Sequence, residues 1–293
     1  DPEMSTAVKP LIKSALSPKE PEIPTFVNTP FNSNAAILGK CDVVIHAAAN
    51  TDAEFCEDNP IDCYRDNTLL TERLAAVSSQ LGKKFVFISS TGVYGSTQFT
   101  RPYHEYDETN PTTIHHHSKI LAEEVVSRLC SNALIIRAGW IFGGNPANNK
   151  NFVARRIEEA LAADGAIESN IDQKGCPTWS VDLARMLVEL TLDNRSGVFN
   201  LVNEGSASRF EYVSKILSVA GINVQVRPAE AQRFARRANV SNNETAECVK
   251  LVQMGYSPLP EWGESLEKYI KNELPEWLQA QKVKMLGGVR DGL

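Results

Sequence analysis

Three short apolar runs, separated by stretches of helical periodicity, constrain this chain more than any other feature. Asp42-Val-Val-Ile-His-Ala-Ala-Ala49, Phe85-Val-Phe-Ile88 and Ala133-Leu-Ile-Ile-Arg137 are short and apolar with little alternation. Runs of this kind read as strands buried on both faces. Between them the apolar residues fall at helical spacing over 60–81, where Ile61, Leu70, Leu74, Val77 and Leu81 are placed on one side and Gly82 stops the helix, and again over 113–130. This strand–helix alternation predicts an α/β fold built on a doubly wound parallel sheet, with right-handed crossovers placing helices on both faces. Ligand sites in such sheets lie beyond the carboxyl ends of the strands, so the candidate segments are 46–51, 89–95 and 138–145.

Beyond residue 150 the pattern is mixed. Helices are expected over 151–163, 180–192, 209–220 and 262–271, and strands at 198–202 and 224–226. Ahead of the first strand, a short helix over 3–15 precedes a Pro-rich stretch, 17–35, with no periodicity. The expected organisation is an N-terminal helix and loop (1–40), a parallel core (41–165), and a smaller mixed lobe (166–293) interleaved with that core. Lys plus Arg number 30 against 36 Asp plus Glu, a net charge of −6, so there is no basic excess to neutralise nucleic-acid phosphates. No apolar run approaches the ~18–20 residues that span a bilayer. Six cysteines without C-x-x-C spacing read as free thiols in a reducing intracellular compartment, cytoplasm and organelle interior being equally compatible.

In order and spacing, Asp42–Ala49, Asn67, Ile88-Ser-Ser-Thr-Gly-Val-Tyr-Gly95, Ser118-Lys119, Arg137–Gly143 and Gly175-Cys-Pro-Thr-Trp-Ser-Val-Asp-Leu-Ala184 resemble the extended short-chain dehydrogenase/reductases. The Gly-Cys-Pro-Thr-Trp segment, with Leu259-Pro-Glu-Trp-Gly-Glu-Ser-Leu266, is similar to the dTDP-4-dehydrorhamnose reductase branch. The resemblance implies a Rossmann-like sheet and NADP(H) as cofactor. It implies hydride transfer to a keto group on a nucleotide-linked sugar, with a Tyr giving the proton, a Lys lowering its pKa and a Ser or Thr orienting the carbonyl. Carried over by position, Ser90 is the orienting hydroxyl, Lys119 the lysine and His115 the residue at the tyrosine position. Ala47, Ala48, Ala49, Asn67 and Lys119 match cofactor-binding positions. Ser90, Pro177, Thr178 and Trp179 match substrate positions.

Two departures stand out. The first is His115 itself, followed by two further histidines, so that shifting the motif by one residue supplies no tyrosine. A neighbouring ammonium holds an imidazole neutral, and a neutral imidazole is a poor proton donor. The second is that no G-x-x-G-x-x-G turn precedes residue 41. An N-terminally incomplete sheet is therefore expected, with an exposed edge covered by residues 1–40 folded back, by a second protein chain or by a second copy. Two functions follow as expectations. One is a non-catalytic structural or regulatory subunit. The other is an active NADPH-dependent 4-keto reductase whose first strands are missing from the sequence at hand. His115-His-His117 is not expected to bind a metal, because successive helical residues point about 100° apart. Arg155-Arg156 and Arg236-Arg237 read as solvated surface or as a diphosphate contact. Pro275–Leu286 reads as a partner-docking segment or as one packed back on the domain.

Overall fold

The structure, a computed structural model, describes residues 35, 37–95, 101–234 and 236–288. The helix expected over 3–15 and all but the last residue of the Pro-rich loop lie outside the described residues. Four parallel strands, β1 (Val43–His46), β2 (Lys84–Ser90), β3 (Leu134–Ala138) and β4 (Gly197–Leu201), form the main sheet in the order β1-β2-β3-β4. Val44 stands opposite Phe85, Ile88 opposite Ile136, and Ile136 opposite Phe199. The three apolar runs are therefore adjacent parallel strands, as expected. Among the described residues β1 is an edge, and its Ile45 is 49% exposed.

The longer helices are α1 (Leu70–Gln80), α2 (Ile114–Leu129), α3 (Phe152–Ala162), α4 (Ser180–Leu192), α5 (Arg209–Ala220), α6 (Trp262–Glu273) and α7 (Pro275–Gly288). Successive strand residues face opposite sides, which is why one strand serves two cores. Phe85, Phe87 and Ile135 pack under Leu74, Ala75 and Val77 of α1 and Ala122 and Val126 of α2. Val86, Leu134 and Ile136 pack on the other face against Leu183, Met186, Leu187 and Leu190 of α4.

The single helix expected over 60–81 is divided. It runs as Pro60–Tyr64, a π turn at Arg65–Leu69, and α1. Ile61 is 83% exposed rather than on the buried side. Nine residues at about 100° each leave it roughly half a turn from Leu70. Leu81, the residue capping α1, is also exposed. A short helix, Ala53–Asp58, precedes this segment and has no counterpart in the periodicity.

The second core gathers Phe142 with Val153 and Ile157 of α3, Tyr212, Val213 and Ile216 of α5, and Leu266, Tyr269 and Ile270 of α6. The chain crosses the expected boundary at 165 in both directions: α3 packs into the lobe, while β4 returns to the main sheet. The expected strand at 224–226 extends over Gln225–Ala229 and pairs in parallel with Ala166–Asn170. Of the two readings of Pro275–Leu286, packing back on the domain is the one observed. Trp277 and Leu278 lie against the lobe core, and Lys282 Nζ donates to Ala220 O at 2.8 Å. All six cysteines are free thiols. Among the described residues no helix is long and apolar enough to cross a membrane.

Candidate functional site

β2 ends at Ser90, whose Oγ accepts the Gly92 N–H at 3.1 Å and starts a single 3-10 turn, Thr91–Tyr94. Opposite this turn α2 begins. Thr113 caps it by accepting the His116 N–H at 3.2 Å, and the first two turns carry His115, His116 and Lys119. A Cβ on Gly92 would stand 2.2 Å from the His116 ring, so glycine is what lets the strand end and the helix meet. Lys119 Nζ reaches back to donate to Ile88 O at 2.7 Å and lies 4.5 Å from the centre of the Phe87 ring. The strand end bearing Ser90 and the helical turn bearing His115 and Lys119 are thus brought together, with His115 one turn from Lys119.

Asn67, presented by the π turn, ties this helix to the loop after β1. Its Oδ1 accepts the Asn50 N–H at 2.7 Å. Its Nδ2 donates to Asn50 O at 3.0 Å and Ser118 Oγ at 2.9 Å, and lies 3.4 Å from His115 Nδ1. The amide is committed to protein partners, so Asn67 acts here as a brace between β1 and α2. Burial, then the His116 and Lys119 charges, push the His115 imidazole down to about 3, against a smaller upward pull from the Asn50 backbone. Burial lowers Lys119 to about 8, with Glu123 on the next turn pulling it back up. Glu123 is itself held by the Arg137 guanidinium at 2.8 Å and by Ser89 Oγ at 2.5 Å.

The three tyrosines between Ser90 and α2 do not take the place of a tyrosine at position 115. Tyr94 and Tyr103 are fully buried and stacked at 4.8 Å. The Tyr94 hydroxyl donates to Asn200 Oδ1 at 2.8 Å, and burial raises it to about 12. Tyr106 is exposed and points to Gln253.

The remaining expected residues are more scattered. Ala47 and Ala48 are exposed at the carboxyl end of β1, with Ala49 half-buried. Pro177, Thr178 and Trp179 form a short buried strand paired with Trp140–Phe142. The Trp179 N–H donates to Asn203 Oδ1 at 2.8 Å, and its indole belongs to the lobe core. Among the described residues no hydrogen bond joins these three to the Ser90–Lys119 group, and Trp179 Nε1 is buried without a hydrogen-bond partner.

A second feature lies in the lobe. A cleft of about 870 Å³ is lined by residues that include Phe152, Arg156, Arg209 and Arg236 and the carboxylates Glu159 and Glu168. The Arg209 guanidinium lies 3.4 Å over the Trp140 ring, and burial lowers it to about 10. Among the described residues no carboxylate forms an ion pair with Arg209, and Arg156 Nε is buried without a hydrogen-bond partner. Arg156 and Arg236 line the cleft, Arg156 pairing there with Glu159 at 2.8 Å, while Arg155 lies 4.0 Å from Glu158 and Arg237 pairs with Asp58. Arg209 and Trp140 escape a sequence reading, because a lone arginine at a helix start looks like surface. Among the described residues no group of three or more His, Cys, Asp or Glu side chains is arranged to hold a metal ion.

A family model described as the RmlD substrate binding domain matches residues 31–274. The chain is 30% identical over 236 residues to a dTDP-4-dehydrorhamnose reductase of Mycobacterium tuberculosis, covering 78% of this chain and 76% of that one. It is 26% identical over 230 residues to the spore coat polysaccharide biosynthesis protein SpsK of Bacillus subtilis, covering 78% and 79% of the two chains. A crystal structure of dTDP-4-dehydrorhamnose reductase from Bacillus anthracis in complex with NADP superposes with a TM-score of 0.78 at 27% identity, over 85% of this chain and 87% of that one.

Proposed function

The chain belongs to the dTDP-4-dehydrorhamnose reductase family, and we propose that it is a non-catalytic member of it, a structural or regulatory subunit that associates with another protein chain or a second copy of itself. One observation carries this reading: the residue at the proton-donor position is a histidine buried one turn from Lys119, where burial and the neighbouring charges push its imidazole down to about 3. At pH 7 roughly one molecule in 10⁴ would hold the imidazolium there. Neutral His115 could give a proton only by becoming an imidazolate, far less favourable than a phenol beside a lysine becoming a phenolate. Losing the general acid costs ~10²–10⁴ in rate.

The binding architecture is retained in part. Lys119 keeps N–H donors beyond the one given to Ile88, and the small exposed side chains of Ala47 and Ala48 allow close approach of a ligand to the end of β1. These are the residues that would hold a nicotinamide cofactor, which when bound supplies hydride. In the arginine-lined cleft Arg156 is paired with Glu159 and Glu168 also lines the wall, so Arg209 and Arg236 are the cations that would meet the diphosphate of a nucleotide-linked sugar. The buried Lys119 charge also favours a second reading, an active NADPH-dependent 4-keto reductase. The two separate in one assay. With NADPH and a dTDP-4-keto-6-deoxy sugar, the purified chain is expected to show no NADPH oxidation above background while still binding dTDP. Turnover by the unmodified chain would overturn the non-catalytic reading.

A further inference from the structure

We propose that residues 236–242 form a strap latched by Glu54 across the carboxyl end of the parallel sheet, and that releasing the latch withdraws Arg236 from the arginine-lined cleft. Only the nature of the ligand rests on the reading above; the latch stands on the contacts of the strap.

The strap has no helix or strand of its own, so its position depends on what it touches. Glu54, in the helix just after β1, uses one carboxylate oxygen to accept two successive backbone N–H groups, Arg237 at 2.9 Å and Ala238 at 3.5 Å. The Ala238 side chain is buried, at 3% exposure. Farther along, Ser241 Oγ donates to Gly95 O at 2.7 Å, and Gly95 closes the turn that follows β2. At its far end the strap returns to the lobe, where Lys174 N donates to Asn242 O at 2.9 Å. One irregular segment is therefore pinned to the ends of two core strands and to the lobe.

Adjacent arginines connect the latch to the cleft. Arg237 turns towards the core and pairs with Asp58, while Arg236 lines the cleft. Where the strap sits decides whether Arg236 is present in the cleft. Glu54 is the main anchor. The Arg237–Asp58 pair is solvent-exposed on both sides, and such pairs hold little. A carboxylate receiving backbone N–H groups makes the stronger, charge-assisted bond. An anion bound by Arg236 would favour the latched strap, and by reciprocity the latch would favour the anion.

Hydrogen exchange on the full chain tests this. The 236–242 peptide should exchange on the order of tenfold faster in Glu54→Ala, with peptides from β2 and β3 unchanged. Glu54→Gln, which keeps a carbonyl acceptor, should fall between Glu54→Ala and the parent. Ser241→Ala, at the other anchor, should loosen the same peptide. dTDP should slow the peptide in the parent chain and bind Glu54→Ala several-fold more weakly. Equal exchange in parent and Glu54→Ala would overturn the latch. Faster exchange with unchanged dTDP affinity would overturn its coupling to the cleft. Failure of dTDP to bind either protein would count against the cleft reading, and the exchange rates alone would then decide the latch.

Discussion

Glu123→Ala is expected to lower the unfolding free energy by about 3–5 kcal/mol. Glu123 and Arg137 are both buried, and the pair joins α2 to β3 beneath the candidate site. The guanidinium donates through Nε to both carboxylate oxygens at 3.2 Å and through Nη2 to Oε2 at 2.8 Å. Burial opposes the Arg137 charge, and the Glu123 carboxylate more than offsets it, so Arg137 is held above its ordinary range. Removing the carboxylate leaves a buried cation whose nearest remaining support is the Tyr94 ring at 4.9 Å. It also strips Ser89 Oγ of its acceptor. The cost is that of an uncompensated charge, and it differs from the net value of the pair. The double change Glu123→Leu with Arg137→Met should therefore recover most of the loss. Urea unfolding midpoints at constant m value report both numbers. A loss below about 1 kcal/mol in Glu123→Ala would mean that water reaches the guanidinium and that the pair is not structurally buried.

The elements legible in the sequence are those with one dominant period. β1, β2 and β3 are short apolar runs because both faces of a central parallel strand are covered, and α4 and α5 have the residue limits that their periodicity predicts. The lobe was harder for a physical reason. Ala166–Asn170 reads Ala-Ile-Glu-Ser-Asn, and other strands there are two or three residues long, too short for any period to show. At the site, His115 and Lys119 are visible as an i, i+4 pair on a helix, and Ser90 as the end of a strand. The π turn that aims Asn67 has no compositional signature. The strap depends on Glu54 meeting Arg237, 183 positions away, a contact that local pattern cannot report. Arg209 is invisible for a related reason: its partner, the Trp140 ring, comes from a strand 69 positions earlier in the chain.

Acidification should unfold this protein well before its ordinary carboxylates titrate. His46 and His116 are pushed down to about 4 and His115 to about 3, in each case first by burial and then by neighbouring charges that include Lys119. Burial and the Lys119 charge, rather than hydrogen bonding, set the neutral form; the His46 and His116 rings also face a threonine hydroxyl. His46 Nε2 lies 2.9 Å from Thr71 Oγ1, and His116 Nδ1 lies 3.0 Å from Thr113 Oγ1. In the unfolded chain each imidazole takes up a proton near pH ~6.5. Between that pH and the depressed folded values, the unfolded state binds more protons. The unfolding free energy therefore falls as pH falls, by up to ~1.4 kcal/mol per pH unit for each imidazole. One such group removes roughly 3 kcal/mol between pH 6.5 and 4, a large share of a typical domain's stability. Glu244 acts in the opposite direction, because burial raises its carboxyl and favours its protonation in the folded state. Asp107, lowered to about 2 first by the hydrogen bond from Arg101, loses its contribution as pH falls from ~3.9 towards 2, overlapping only the lower end of the His115 window. Thermal midpoints at pH 7.5, 6.5, 5.5 and 4.5 should decline steadily across the last three. His46→Gln, which can keep a bond to Thr71, should make that decline shallower whatever it does to the midpoint at pH 7.5. A decline that begins only below pH 4.5, with the same slope in His46→Gln, would show that the three imidazoles are solvated and that burial beside Lys119 does not hold them neutral.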